Sequence, residues 1–153
     1  NVEDAEERFS KRKIDRSCDV PKGGKPINER ILNPLEIPAD VRIYRYAAHT
    51  GRMIVDEDTC PPELVRKARN TIRELNLNAP RLMRMRREAV MMLEDEIENA
   101  LAAGEDMEEF LNMLAESFLL PDDNGNCQAF FSLIRWFLGP AAENVLSKYG
   151  YAI

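Results

Sequence analysis

Hydrophobic residues recur at helical spacing from residue 61 to the end of the chain. The spacing predicts helices over about 61–76, 80–103, 105–119, 126–138 and 141–149. Pro62 suits a first helical turn, and Gly104 and Gly139 mark helix ends. Short connections favour antiparallel neighbours, so residues 61–153 are predicted to form a compact bundle of about five helices.

Two of these segments indicate where the core lies. The second helix has the clearest apolar stripe, with steps of three and four residues joining its members. The fourth is apolar nearly all round, which is typical of a helix at the centre of a core. The stripe of the second helix consists of Leu82, Met85, Ala89, Leu93, Ile97 and then Ala100 or Leu101.

A β-hairpin is predicted ahead of the bundle. Residues 41–46 and 52–55 are rich in β-forming side chains and flank a turn at Thr50 and Gly51. An isolated hairpin is only marginally stable in water, so we expect residues 41–60 to pack on the helices or to pair with a partner's strand. The predicted fold class is mainly α, with a short N-terminal β-hairpin.

Residues 1–40 differ in composition from the rest of the chain. The first thirty carry fifteen charged side chains and only scattered hydrophobic positions, and Pro34 and Pro38 favour extended backbone before them. Such a segment buries too little apolar surface to offset its ordering entropy. We therefore expect an extended arm that becomes ordered against another chain, with folding back onto its own domain as the alternative.

Charge is distributed unevenly along the sequence. Residues 1–87 contain nineteen basic and fourteen acidic side chains, whereas residues 88–153 contain two basic and thirteen acidic ones, for a formal net charge of −6. An asymmetry of this kind bears on the choice of partners rather than on the fold.

The basic residues that are candidates for partner binding occur in the arm and on the first two helices. A patch of arginines could hold the phosphates of RNA or DNA. No aromatic residues interleave with them, however, and the chain is acidic overall, so an acidic protein surface is the favoured partner. The candidates are Arg8, Lys11, Arg12 and Lys13 in the arm, and Arg66, Arg69, Arg81, Arg84 and Arg87 on the helices.

The acidic candidates lie on the second and third helices. Glu94 and Glu98 share one face of the second helix, and Glu105 and Glu109 are predicted to share one face at the start of the third. Negative charge suits the beginning of a helix but opposes the dipole near its end. Glu94 and Glu98 therefore form either a solvated face or a contact for a basic partner.

Six of the seven methionines fall between residues 83 and 113. Methionine adapts its shape to irregular surroundings. These residues therefore fill the core or form a soft docking groove between the second and third helices.

Catalytic and metal-binding patterns are weak. His49 is the only histidine and lies in the hairpin turn, so a nucleophilic pair with Cys60 requires the two to approach across the hairpin. A di-iron site needs histidines inside the bundle, and the segment 122–126 departs from the EF-hand pattern. The segment 22–25 lacks the spacing of a phosphate loop. We predict no enzyme, no cofactor and no metal.

Three widely spaced cysteines argue against a disulfide framework, and no apolar run approaches the roughly 20 residues of a membrane-spanning helix. These features predict a soluble protein of a reducing intracellular compartment, and the mitochondrial matrix is compatible with them. The favoured function is that of a non-catalytic structural subunit of a large multi-protein complex, docking through its arm and a charged helical surface. The alternative is a nucleic-acid-associated protein of a ribonucleoprotein or viral particle, contacting the phosphate backbone through residues 66–87 and the arm.

Overall fold

The computed structural model describes residues 13–17, 24, 26, 29–33, 37, 41–122, 125–126 and 128–150. Within these ranges a 3₁₀ turn, Lys13–Asp15, precedes two antiparallel strands and five α-helices. The predicted fold, mainly helical with a hairpin on its N-terminal side, is confirmed. The strands are β1 (Tyr44–Ala47) and β2 (Arg52–Val55); the helices are α1 (Pro62–Glu74), α2 (Pro80–Ala103), α3 (Met107–Leu119), α4 (Phe131–Leu138) and α5 (Pro140–Lys148).

The chain forms two compact units, which we call the first unit (1–85) and the second unit (86–153). The division falls inside α2. The sequence predicted a domain boundary at residue 60, between the hairpin and the helices. In the structure, contacts join α1 to β2 within the first unit. None of the described helices combines the length and the apolarity needed to cross a bilayer.

The hairpin of the first unit buries one face against α1. Side chains alternate across a strand, so the cross-strand pairs Tyr44–Val55 and Tyr46–Met53 lie on the same face of the sheet. Val55 packs in a core with Ile43, Cys60 and Ala68, and Tyr44 packs against it. Burial raises the pKa of the Tyr44 hydroxyl to about 12. This packing provides the stability that an isolated hairpin lacks.

The outer edge of β2 is closed by a side chain. Asn78 Oδ1 accepts a hydrogen bond from Met53 N–H at 2.8 Å, and Asn78 Nδ2 donates to Met53 O at 2.9 Å. The amide thereby provides the same two hydrogen bonds that a neighbouring strand would provide. A strand from a partner cannot pair with β2 at Met53 while Asn78 is in place, although such pairing was one expectation from the sequence.

Part of the predicted arm belongs to the core of the first unit. Leu32 is buried, and its N–H donates to Thr71 Oγ1 on α1 at 2.9 Å. Arg30 is held twice, because Asn70 Nδ2 donates to its carbonyl oxygen at 3.1 Å and its guanidinium pairs with Glu74 at 3.2 Å. Residues 29–33 therefore pack on their own helix, as the fold-back alternative required.

A second arm segment is attached at the end of α1. Asn76 has a left-handed backbone (φ 48°) and ends the helix, with Leu77 N–H donating to Ile72 O at 2.9 Å. Its side-chain Nδ2 donates to Ile14 O at 3.1 Å and to Arg16 O at 2.8 Å. Glycine, the usual residue at such a position, could not form these two bonds. Arm residues 1–12 lie outside the described residues, as do most of residues 18–28 and 34–40.

Replacing Asn76 by glycine should release the segment 13–17 while leaving α1 intact. Glycine accepts the left-handed backbone, and each lost hydrogen bond contributes only about 1 kcal/mol. Hydrogen exchange in the segment that forms the 3₁₀ turn, Lys13–Asp15, should accelerate, with little change in exchange along α1. The matched control is Asn76→Asp, which tolerates the same backbone but cannot donate. Unchanged exchange in both variants would contradict this assignment of the tether.

The second unit is built around α3. This helix packs against both α4 and α5, and its buried side chains include Phe110, Leu114 and Leu119. Leu93 and Ala100 of α2 join the same core, and Ile97 packs against it, as the stripe predicted. Towards the N-terminus of α2 the burial differs from the prediction, because Arg86 and Val90 are its buried residues there. Near the C-terminus, where the prediction left Ala100 and Leu101 open, Ala100 is buried and Leu101 is exposed.

The starts of α3 and α4 differ from the predicted ones. Asp106 caps α3, its carboxylate accepting from Glu109 N–H at 3.0 Å, so that helix begins at Met107 rather than at residue 105. Helix α4 begins at Phe131 because Phe130 adopts a left-handed backbone with φ 63°. Its partly buried side chains, Trp136 among them, show that α4 is not enclosed on all sides.

Candidate functional site

One face of α3 forms the floor of an open concavity of about 520 Å³. Glu109, Asn112, Met113 and Glu116 are spaced three and four residues apart, which places them on a single stripe of the helix. The opposite face carries the buried core residues, so this stripe is the side left to solvent. We call the concavity the α3 groove; its lining residues are Asp106, Glu108, Glu109, Asn112, Met113 and Glu116, with Lys148 of α5.

The single lysine of the α3 groove is already engaged. Lys148 Nζ donates to Glu116 Oε1 at 2.7 Å and lies 5.0 Å from the centre of the Tyr149 ring. The hydrogen bond from Lys148 lowers the pKa of Glu116, and the same contact raises the pKa of Lys148. The pair therefore remains ionised at neutral pH. Within the described part of the chain, neither Glu108 nor Glu109 forms a salt bridge.

Asn112 and Met113 are the uncharged residues among the described ones that line the groove. Asn112 Oδ1 is buried and accepts no hydrogen bond from any described residue, which is uncommon for a buried amide oxygen. Met113, beside it on the same stripe, is 56% exposed. A flexible thioether between carboxylates offers a contact for the aliphatic stem of a lysine or arginine.

The predicted basic residues are exposed wherever the structure describes their side chains. Arg66 and Arg69 lie on α1, Arg81 and Arg84 lie on the part of α2 that belongs to the first unit, and Arg87 lies on the part in the second. Arg69 pairs with Glu57, so its charge is partly satisfied within the chain. Lys13 opens the 3₁₀ turn, and Arg8, Lys11 and Arg12 lie outside the described residues.

The predicted acidic residues separate into two groups. Glu94 and Glu98 are both exposed on α2, one turn apart on a common face, as predicted. Glu109 lines the α3 groove, but Glu105 lies in the connection between α2 and α3, where its N–H donates to Ala100 O at 3.1 Å. The prediction that Glu105 and Glu109 share one face of the third helix is therefore wrong, because that helix begins at Met107, after Gly104 and the cap residue Asp106.

The methionines were predicted either to fill the core or to form a docking groove between the second and third helices, and Met107 packs against the core of the second unit. Met113 lines a groove that α3 shares with Lys148 of α5. Met91 and Met92 are about half exposed on α2, at 46% and 48%. Of the methionines in this region, Met113 is the one that the structure places at the candidate site.

Cys60 has the properties of a structural cysteine rather than those of a nucleophile. Its side chain is buried, and burial raises the pKa of its thiol, with Glu63, Asp56 and Glu57 adding to the shift. An activated cysteine needs the opposite shift, towards the thiolate. His49 is exposed in the hairpin turn, and the thiol lies 3.6 Å from the carbonyl oxygen of Pro61, to which it donates.

The acidic side chains do not converge into a ligand set in the described ranges. No group of three or more carboxylate, thiol or imidazole side chains there is placed to hold a metal ion. Asp122, in the segment that hinted at an EF-hand, instead organises a turn, its Oδ1 accepting from Asn126 N–H at 2.8 Å.

Sequence reasoning missed Lys148, Asn112, Arg45 and Arg52. Lys148 and Asn112 are distant in sequence, and no local pattern joins them. Arg45 and Arg52 could have been found, because a register that pairs residue 45 with 54 and 47 with 52 places both arginines on the outer face of the hairpin. Both are exposed there.

No protein-family model matches this sequence, and no curated protein matches it significantly.

Proposed function

We propose that this protein is a non-catalytic subunit of a larger protein assembly, and that it docks a lysine- or arginine-rich segment of a partner protein in the α3 groove. The observation that carries this proposal is the composition of the groove. Four acidic side chains precede or line α3 there, and Lys148, the basic residue among the described lining residues, is already paired with Glu116. The remaining negative charge is that of Asp106, which caps the helix, and of Glu108 and Glu109.

The surroundings of the groove favour a basic partner. Residues 88–153 have a large excess of acidic side chains, so the potential near this surface attracts cations over a distance set by the ionic strength. At close range the exposed Met113 offers apolar contact. A basic segment of a protein supplies charge, donors and aliphatic stems together, whereas an inorganic cation supplies only the charge.

Two described arm segments make contacts within their own chain. Residues 29–33 are bonded to α1 of the same chain, and the segment that contains Ile14 and Arg16 is bonded to Asn76, just after that helix. Docking in this proposal therefore depends on the charged helical surface and not on those two arm segments. The reducing intracellular setting inferred from the cysteines is part of the same proposal, and the buried Cys60, a free thiol, is compatible with it.

A photo-crosslinker in the α3 groove tests the proposal in cells. With p-benzoylphenylalanine in place of Met113, we expect crosslinks to one or a few proteins, through segments rich in lysine and arginine. Neutralising the groove with Glu108→Gln and Glu109→Gln should reduce the yield several-fold, because the attraction is mainly between charges. Mass spectrometry of the crosslinked peptides provides the readout.

The matched control places the same crosslinker at Asn144, which is exposed on α5 and outside the groove. Equal crosslinking from both positions would mean that the partner does not use the groove. Crosslinks to RNA or DNA would contradict the proposal and favour the nucleic-acid function instead.

A further inference from the structure

The outer face of the hairpin carries a second charged surface, of opposite sign, within the first unit. Arg45 lies opposite Ile54, and Arg52 lies opposite Ala47, on the face of the sheet that points away from the core. Together with Arg69 and Ile72 of α1 these residues line a concavity of about 340 Å³, which we call the hairpin groove.

Two arginines of the hairpin groove are available for a partner. Arg69 is paired with Glu57, which also lines the groove. Arg45 and Arg52 are exposed, and neither forms a salt bridge to a described residue. A guanidinium binds a carboxylate or a phosphate through paired N–H donors, so either anion could engage them.

The other residues of the hairpin groove distinguish between these anions. Ile54 and Ile72 give it an apolar floor, and both are only partly buried. None of the described residues that line the groove is aromatic, so they offer no surface on which a base could stack. Glu57 in its wall is paired with Arg69, which leaves Arg45 and Arg52 for a partner, and two arginines are few for a phosphate backbone. A partner segment with an acidic side chain next to a large aliphatic one therefore matches both the exposed arginines and the isoleucines of the groove.

We propose that the hairpin groove binds an acidic segment of a partner protein, in which aspartate or glutamate residues flank a large apolar residue. The carboxylates pair with Arg45 and Arg52, and the apolar side chain covers Ile54 and Ile72. The Asn78 amide already binds the N–H and the carbonyl oxygen of Met53, so a partner contacts the groove through side chains rather than by adding a strand at this point. This proposal is independent of the α3 groove, which has the opposite charge.

Selection from a displayed library of short random peptides, with the full chain as target, tests it at physiological ionic strength. We expect a class of binders in which Asp or Glu adjoins Leu, Ile or Phe. Arg45→Gln with Arg52→Gln should weaken a purified binder of this class by roughly tenfold or more, since two charge-assisted contacts are lost. Fluorescence anisotropy measures the affinity, and circular dichroism checks that the double variant is folded.

Arg66→Gln is the matched control, because Arg66 is exposed on α1 and does not line the groove. Equal weakening by this control would overturn the assignment of the groove. Absence of acidic binders would overturn the proposal, as would tighter binding of a short single-stranded RNA than of the acidic peptides. If basic peptides are also selected, loss of their binding in the Glu108→Gln, Glu109→Gln variant tests the α3 groove separately.

Discussion

Leu93→Ala should lower the free energy of unfolding of the second unit by about 2–5 kcal/mol, the range for leucines that leave a cavity in a core. Leu93 is 0% exposed and packs in the core that α3, α4 and α5 share. A single well-packed core in a unit of this size has little stability in reserve, so a loss of this size brings the unit close to unfolding. Denaturant titration followed by circular dichroism measures the change, and hydrogen exchange localises it to residues 86–153.

Leu101→Ala provides the matched control on the same helix. Leu101 is 58% exposed, so truncating it removes few packing contacts, and we expect a change within about 0.5 kcal/mol. The apolar stripe alone did not decide between Ala100 and Leu101, and the structure assigns the core position to Ala100, which is 3% exposed. Similar losses in the two leucine variants would mean that α2 presents a different face to the core.

The same helix shows how far periodicity predicts burial. Leu93, Ile97 and Ala100 follow the predicted stripe, but the buried positions before them are Arg86 and Val90. A stripe drawn through apolar residues passes over a buried arginine, because the charge of a residue does not reveal whether its aliphatic stem is packed. Residues 86, 90, 93, 97 and 100 are also three and four positions apart, so they form an equally regular face of the helix. The prediction failed there because it counted only apolar residues as buried, not because the spacing was irregular.

Helix ends were predictable where the terminating residue has a backbone preference, and not elsewhere. Gly104 and Gly139 were recognised because glycine accepts positive φ, and both adopt it. Asn76 and Phe130 also have positive φ. Asparagine tolerates this backbone, and the sequence predicted the first helix to end at about residue 76, whereas phenylalanine has no such preference. The late start of α4 at Phe131 follows from the positive φ of Phe130.

The arm shows the limit of arguments from composition. Residues 1–30 have too few apolar side chains to form a core, and that estimate led to the expectation of a partner chain. The structure holds two described segments by backbone carbonyl groups instead: Asn70 binds Arg30 O, and Asn76 binds Ile14 O and Arg16 O. Hydrogen bonds between a side chain and a distant backbone have no signature in hydrophobic periodicity.

The candidate grooves were predictable only in part. The sequence identified the acidic segment of α3 and the exposure of its first turn, since dense carboxylates near a helix start must face solvent. It could not place Lys148 beside Glu116, because that pair depends on how α5 packs on α3. The two arginines of the hairpin groove required the register, which pairs residue 45 with 54.

Asn78→Ala should lower the free energy of unfolding of the first unit by about 2–3 kcal/mol. The change removes both hydrogen bonds to Met53 and leaves a partly buried N–H and carbonyl group without partners, which costs more than the bonds themselves contributed. The helix propensity of alanine does not offset this loss, because Asn78 lies between α1 and α2 and in neither helix. Thermal or denaturant unfolding measures the change.

Asn78→Asp separates the two bonds. Aspartate still accepts from Met53 N–H but cannot donate to Met53 O, and its charge faces that carbonyl oxygen, so we expect a loss of stability at neutral pH comparable with that in the alanine variant. Protonation of the new carboxyl group restores a donor, so the loss in the aspartate variant should shrink in acid while that in the alanine variant persists.

The exposed strand edge gives a second readout for Asn78→Ala. An unpaired edge favours association between chains, so light scattering at high protein concentration should report more self-association in this variant than in the wild type. A variant as stable and as monomeric as the wild type would mean that Asn78 is not needed to close the edge of β2. The hairpin would then be open to the added strand that the sequence first suggested.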